Sequence, residues 1–136
     1  MDITPDDGER LVAAAAAARE NAYAPYSQFR VGAALLLSDG RLSCGCNVEN
    51  ASFGLAVCAE RNAVAAAVGT GARRFSALAV VTDARPPASP CGACRQVLSE
   101  FGDFPVILAN TAGDRVVTSV SQLLPHAFDG RELERG

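Results

Sequence analysis

The chain predicts an α/β fold, a three-layer α/β/α sandwich built on a mixed five-stranded sheet, and three observations lead there. Helix-like and strand-like segments follow one another in the order α-β-β-α-β-α-β-β-α. The strand-like segments are short and almost continuously apolar, the pattern of strands covered on both faces. Strands joined through a helix should run parallel. The link Asn110 to Asp114 is too short for a crossover, so the last two strands should form an antiparallel hairpin.

Each element has a local cause. Thr4 reads as an N-cap, Pro5 as the first helical position, and Asp6 and Asp7 as first-turn acids. That helix should run to about Asn21 or Ala22, with Pro25 stopping it. Val31 to Leu37 reads as a buried strand, Ser38-Asp39-Gly40 as a tight turn, and Arg41 to Val48 as the antiparallel return. After a polar loop from Glu49 to Gly54, Cys58 to Val68 has helix-favouring composition and ends at Gly69-Thr70-Gly71. Ser76 to Thr82 repeats the buried-strand pattern, and the proline-containing stretch Asp83 to Pro90 is a loop. Cys91 to Phe101 reads as a helix closed by Gly102, and Pro105 to Ala109 as a short strand. Arg115 to Thr118 is the last strand, followed by a short serine-capped helix from Ser119 to Leu124.

A chain of 136 residues suits one domain, spanning 1–136, with a core of its own. Its apolar share of 49% and mean hydropathy of +0.15 are high for a small soluble monomer and point to burial against copies of itself. A net charge of −3 with scattered arginines leaves no footprint for a polyanion, which disfavours nucleic acid and favours a small neutral substrate. No apolar run reaches the roughly 20 residues of a membrane span. The stretch Leu11 to Ala18 follows Asp2, Asp6, Asp7 and Glu9, the wrong charge for a signal peptide, and reads as an alanine-rich helix. Five cysteines, an odd number, imply metal or thiol chemistry in a reducing compartment, with the cytoplasm as the default.

The chemistry concentrates in Cys58-Ala59-Glu60 and Pro90-Cys91-Gly92-Ala93-Cys94. Cys91 and Cys94 are three apart at a helix start and share a face. Cys58 opens the preceding long helix, and one crossover can bring the two helix starts together. Helix N-termini favour anions and lower thiol pKa values. Three thiolates can hold Zn²⁺ and leave a fourth position open, with Glu60 beside it to move protons. Three thiolates on Zn²⁺ leave a net charge near −1, for which Arg61 is a compensating cation. Cys44 and Cys46 offer an alternative, a fourth thiol that would close the site into an inert Cys₄ cluster. The acid beside Cys58 has no use in such a cluster, so these two read instead as small, partly buried strand residues. His126, the single histidine, has no helical partner and reads as a bystander, and no Ser-His-Asp triad is easily assembled.

The pattern C-A-E … P-C-G-A-C resembles the zinc deaminase signature, with cysteine in place of its first histidine. Tyr23-Ala24-Pro25-Tyr26-Ser27, Phe29 to Leu35, Asn47-Val48-Glu49-Asn50-Ala51-Ser52 and Pro90 to Gln96 narrow the resemblance to the small homotetrameric cytidine deaminases. It covers nearly the whole chain, to about Phe128. It implies a cytidine deaminase-like fold, one Zn²⁺ per subunit on Cys58, Cys91 and Cys94, and Glu60 as general acid/base. It implies that Phe29 packs near the pyrimidine ring and that Asn47 and Glu49 bind the ribose 3′-hydroxyl. The Ala59 backbone and Ser89 would hold the base edge. Ala51, Phe53 and Phe128 would approach a site across an interface in a homotetramer with shared sites. The implied activity is hydrolytic deamination of free cytidine and 2′-deoxycytidine to the uridines plus ammonia, in pyrimidine salvage. The short final hairpin and acidic charge weigh against relatives acting on nucleic acid or other bases. A non-catalytic zinc scaffold and a thiol-redox protein are the rivals from other classes.

Overall fold

A computed structural model describes residues 2–133. Its first helix, α1 (Pro5–Arg19), starts as its sequence requires, with the Thr4 hydroxyl accepting the Asp7 amide at 3.1 Å. It is followed by β1 (Gly32–Leu37), β2 (Leu42–Cys46), α2 (Ala59–Gly69), β3 (Phe75–Thr82), α3 (Gly92–Ser99), β4 (Pro105–Asn110), β5 (Arg115–Ser119) and α4 (Val120–Leu123). Two short 3₁₀ turns, Phe53–Leu55 and Gly130–Leu133, had no signal in the sequence pattern. Ser119 caps α4 by accepting the Gln122 amide.

The five strands form one mixed sheet in the order β2-β1-β3-β4-β5. β1 pairs antiparallel with both β2 and β3, β3 pairs parallel with β4, and β4 pairs antiparallel with β5. The last two strands are therefore the expected hairpin, and β3-α3-β4 is the expected parallel crossover. β2 and β3, joined through α2, point the same way on either side of β1.

Strand alternation divides the core into two layers. Ala33, Leu35, Leu37, Leu78, Val80, Val106 and Leu108 face α2, α3 and α4, meeting Ala63, Val64, Ala67, Leu98 and Val120. Phe75, Phe101 and Phe104 stack at one end of this layer, with ring centroids 4.6 and 6.2 Å from Phe75. On the other face Ala34, Leu36, Ala77, Ala79, Val81, Ile107 and Ala109 meet Leu11 and Ala15 of α1. Small strand residues on that face let α1 approach closely, and the chain is narrowest at Gly32, where a Cβ would collide with the Ala15 carbonyl oxygen and the Arg19 backbone. Gly45 does the same for α2: a Cβ there would lie 2.6 Å from the Ala59 carbonyl oxygen.

Several boundaries differ from expectation for identifiable reasons. β2 ends at Cys46 because Val48 leaves the β1 ladder and bridges Tyr23 and Val57 instead. α1 ends at Arg19, since the amides of Asn21 and Ala22 bond three residues back, to Ala18 and Arg19, in a tightened last turn. α3 is shorter than expected at both ends, with Cys91 as its N-cap. Cys44, expected to be partly buried, is exposed: β2 is an outer strand, and α1 is centred on β1 and β3. Cys46 is half-buried, as expected.

Substituting either close-approach glycine should cost stability by overpacking. Gly32→Ala and Gly45→Ala should each lower stability in urea denaturation by about 1–3 kcal/mol. Gly69→Ala, where a Cβ meets nothing within 4 Å, should be neutral or slightly stabilising as an added helix former.

Candidate metal centre and active site

Cys58 is the N-cap of α2 and Cys91 the N-cap of α3, yet neither side chain caps its own helix. A Ser or Asp there would turn back onto the first-turn amides. The thiols turn toward each other instead. Their sulfurs lie 3.8 Å apart, and the Cys94 sulfur from the first turn of α3 completes a group whose members all lie within 4.8 Å of one another. Tetrahedral zinc with bonds of about 2.3 Å spaces its sulfur ligands by about 3.8 Å, so the donor set and its spacing fit Zn²⁺. Three protein ligands leave one coordination position without a protein donor, the arrangement of a catalytic rather than a structural zinc site. Cys44 and Cys46 cannot close it, because they face the α1 side of the sheet, beside Ala14, Ala17 and Asn21.

The charges around the thiols are arranged for anions. Cys58 is drawn down to about 5, first by the Cys94 thiol that donates to it and then by Arg61, working against partial burial. The Arg61 Nη2 lies 3.6 Å from the Cys58 sulfur, and this contact raises the guanidinium pKa further. Its Nε is buried with no acceptor among the described residues. Cys94, the proton donor of the group, is pushed up by that hydrogen bond and by burial. Glu60 sits on the first turn of α2, 4% exposed. Burial pushes its carboxyl up and the Cys58 charge adds to this, while Arg61 opposes both. The net effect holds the carboxyl above the usual carboxylate range, favouring its protonated form.

A cleft of about 260 Å³ opens beside the thiols and brings Phe29, Asn47, Glu49, Ala59 and Ser89 together with Cys58, Glu60 and Cys91. The Asn47 amide braces the chain that carries Phe29: Oδ1 accepts the Val31 amide at 2.8 Å and Nδ2 donates to the Phe29 carbonyl at 2.7 Å. Glu49 accepts the amides of Tyr26 and Ser27 and the Ser27 hydroxyl. These donors hold its carboxyl below the usual range, with the Ser27 hydroxyl contributing most. Ser27, Val31, Val80, Thr82 and Ala88 also line the cleft and were not singled out from the sequence. Val80 and Thr82 had a usable signal, since ligands in α/β sheets gather beyond the carboxyl ends of parallel strands.

Ala51, Phe53 and Phe128 do not reach this cleft within the chain. Phe53 is 76% exposed, stacks edge-on against Tyr26 at 5.9 Å, and lines a second depression that it shares with Ser27 and Glu49. Phe128 is exposed, its carbonyl accepting from Gln96 of α3 at 2.9 Å. His126 stands outside the metal-ligating group.

The family model for the cytidine and deoxycytidylate deaminase zinc-binding region matches residues 5–110. A curated cytidine deaminase from Sporosarcina psychrophila is 54% identical over 129 residues, covering 93% of this chain and 95% of that protein. A second, from Halalkalibacterium halodurans, is 50% identical over 93% of this chain and 98% of its own length. The crystal structure of cytidine deaminase from Burkholderia pseudomallei superposes with a TM-score of 0.87 at 53% identity, covering 93% of this chain and all of that one (100%). Together with the donor set, the match to a zinc-binding region identifies Zn²⁺ as the ion held by Cys58, Cys91 and Cys94, one per chain.

Metal analysis checks the ligand set directly. Cys58→Ala, Cys91→Ala and Cys94→Ala should each purify with far less than one zinc per chain, because two thiols make a poor tetrahedral site. Cys44→Ser should retain full zinc. Stripping zinc from the native chain with a chelator should lower its melting temperature, since metal binding to the folded state is linked to stability.

Proposed function

The chain belongs to the cytidine and deoxycytidylate deaminase family, and we propose that it hydrolyses free cytidine and 2′-deoxycytidine to uridine and 2′-deoxyuridine plus ammonia, in pyrimidine salvage. One observation carries this reading: a three-thiol metal site and a buried carboxyl with a raised pKa open together into a single small cleft. At about 260 Å³ the cleft is below the range typical of drug-sized ligands, which suits one nucleoside rather than a polymer.

Zn²⁺ held by Cys58, Cys91 and Cys94 would lower the pKa of water to about 7 and so supply a nucleophile at neutral pH. Glu60 does the proton work. As water adds to C4 of the base, Glu60 takes its proton and delivers it to ring N3. A second transfer through Glu60 protonates the amino group, which leaves as ammonia. Burial of Glu60 favours its protonated form and so favours its carrying a proton between these positions. Arg61 balances the negative charge of three thiolates on one Zn²⁺, a role its contact with Cys58 supports.

Recognition is divided among the other cleft residues. Phe29 packs against the pyrimidine, while the Ala59 backbone and Ser89 hold the base edge. Asn47 and Glu49 pair with the ribose 3′-hydroxyl, and such a polar pair penalises ligands lacking that group. Nothing in this set addresses the 2′ position, which supports acceptance of both nucleosides. Ala51, Phe53 and Phe128 act across an interface in a homotetramer with shared sites. That none of the three lines the chain's own cleft, and that both rings are exposed, supports that reading. No described helix is long and apolar enough to cross a membrane, and five free thiols suit a reducing, cytoplasmic setting.

Following cytidine absorbance tests the assignment. Glu60→Gln should keep zinc and fold while kcat falls by about 10²–10⁴-fold, the usual worth of a general acid/base. Undiminished turnover in that variant would reject Glu60 as the proton carrier. Ammonia release from guanine or blasticidin S, with none from cytidine, would reject the substrate.

A further inference from the structure

We propose that Ser27 is a positioning residue for nucleoside recognition, its hydroxyl locking the Glu49 carboxylate to the segment that carries Phe29. The proposal rests on Glu49 being the sugar-binding carboxylate.

Both oxygens of Glu49 are held by two consecutive residues. Oε1 accepts the Tyr26 amide at 2.9 Å and the Ser27 amide at 3.2 Å, and Oε2 accepts the Ser27 hydroxyl. A carboxylate offers roughly four lone-pair sites. Three are therefore taken by Tyr26 and Ser27, and the direction left for a ligand is set by where those residues stand. The terminal torsion of a glutamate is broad and resists little by itself. Among the described residues the Ser27 hydroxyl is the one side-chain group that bonds to the Glu49 carboxylate.

The same hydroxyl faces the base side of the cleft. Its oxygen accepts the Phe29 amide at 3.0 Å, which spans Gln28, a non-glycine residue in the left-handed region at φ 61°. Gln28 is tied down in turn, its amide bonding to the Ala24 carbonyl at 3.0 Å and its side chain to Pro25 at 3.1 Å. One hydroxyl thus couples the ring platform to the sugar acceptor, donating to one and accepting from the other. Ser27 itself lines the cleft, so the coupling lies within the recognition surface.

The coupling is read by comparing cytidine with 3′-deoxycytidine, which lacks the hydroxyl that Glu49 addresses. The ratio of their kcat/KM values is measured for the native enzyme and for Ser27→Ala, Ser27→Thr and Glu49→Gln. Ser27→Ala should reduce the preference for cytidine about fivefold, chiefly through KM, the worth of about one hydrogen bond. Ser27→Thr keeps a hydroxyl and should restore the ratio to within about twofold of native. Glu49→Gln should erode it at least as far as Ser27→Ala. If Glu49→Gln leaves the ratio unchanged, the sugar assignment itself is wrong. If Glu49→Gln erodes the ratio but Ser27→Ala does not, or Ser27→Ala slows both substrates equally, Ser27 is only a loop residue and the proposal is overturned.

Discussion

The site depends on two helix N-termini being brought to one point. Each ends in a cysteine whose thiol does not cap its own helix, so first-turn amides remain directed at the space where sulfur anions gather. Two pieces of packing make this convergence possible. The parallel β3-α3-β4 crossover delivers Cys91 beyond the carboxyl end of β3, where α/β sheets characteristically leave a crevice. Gly45 lets α2 lie close on β2, which brings Cys58 and Glu60 to the same edge. The Asn62 side chain, bonded to the Cys46 carbonyl at 2.8 Å, fastens α2 to β2 near that contact.

A buried acid beside clustered thiols is an electrostatic conflict, and the chain resolves it unequally. Glu60 gives way, with its carboxyl pushed toward the neutral form. Cys58 does not, because Cys94 and Arg61 stabilise its anion. The same surroundings thus lower the Cys58 thiol and raise the Glu60 carboxyl, favouring the anion of the one and the protonated form of the other. Arg61 shows what the arrangement costs: its Nε is buried without an acceptor among the described residues. A buried unsatisfied donor is unfavourable by about 1–3 kcal/mol, which is tolerable where the guanidinium charge faces an anionic cluster.

The layering, the parallel β3-α3-β4 crossover and the final hairpin were legible because each follows from local pattern and link length, whereas the placing of β1 between β2 and β3 was not. The three-thiol cluster and the place of Glu60 beside it were legible for a similar reason: spacing and helix-start position are local properties. What escaped was tertiary. That Gly32 and Gly45 are contact points rather than turn residues depends on where α1 and α2 pass. The exposure of Cys44 depends on β2 being an outer strand. The Ser27–Glu49 link joins positions 22 apart in the chain, and neither residue type by itself implies the other. Helix ends drifted by a few residues because the final turns tighten, a boundary effect that propensity does not resolve.

Chemistry and recognition are built on different kinds of structure here. The metal ligands and Glu60 stand on helix starts packed against the sheet, where positions are fixed by the core. The groups read as meeting the nucleoside stand outside the five-stranded sheet, on residues 26–31 and 47–49, stiffened by the Asn47 and Glu49 side chains and by the isolated bridges from Val48 to Tyr23 and Val57. Asn47 and Glu49, which line the cleft, thus also hold its rim in shape. Glu49 and Ser27 border both this cleft and the adjoining depression lined by Tyr26, Asn50 and Phe53. Whatever occupies that depression therefore bears directly on the Ser27–Glu49 link and, through it, on the neighbouring cleft.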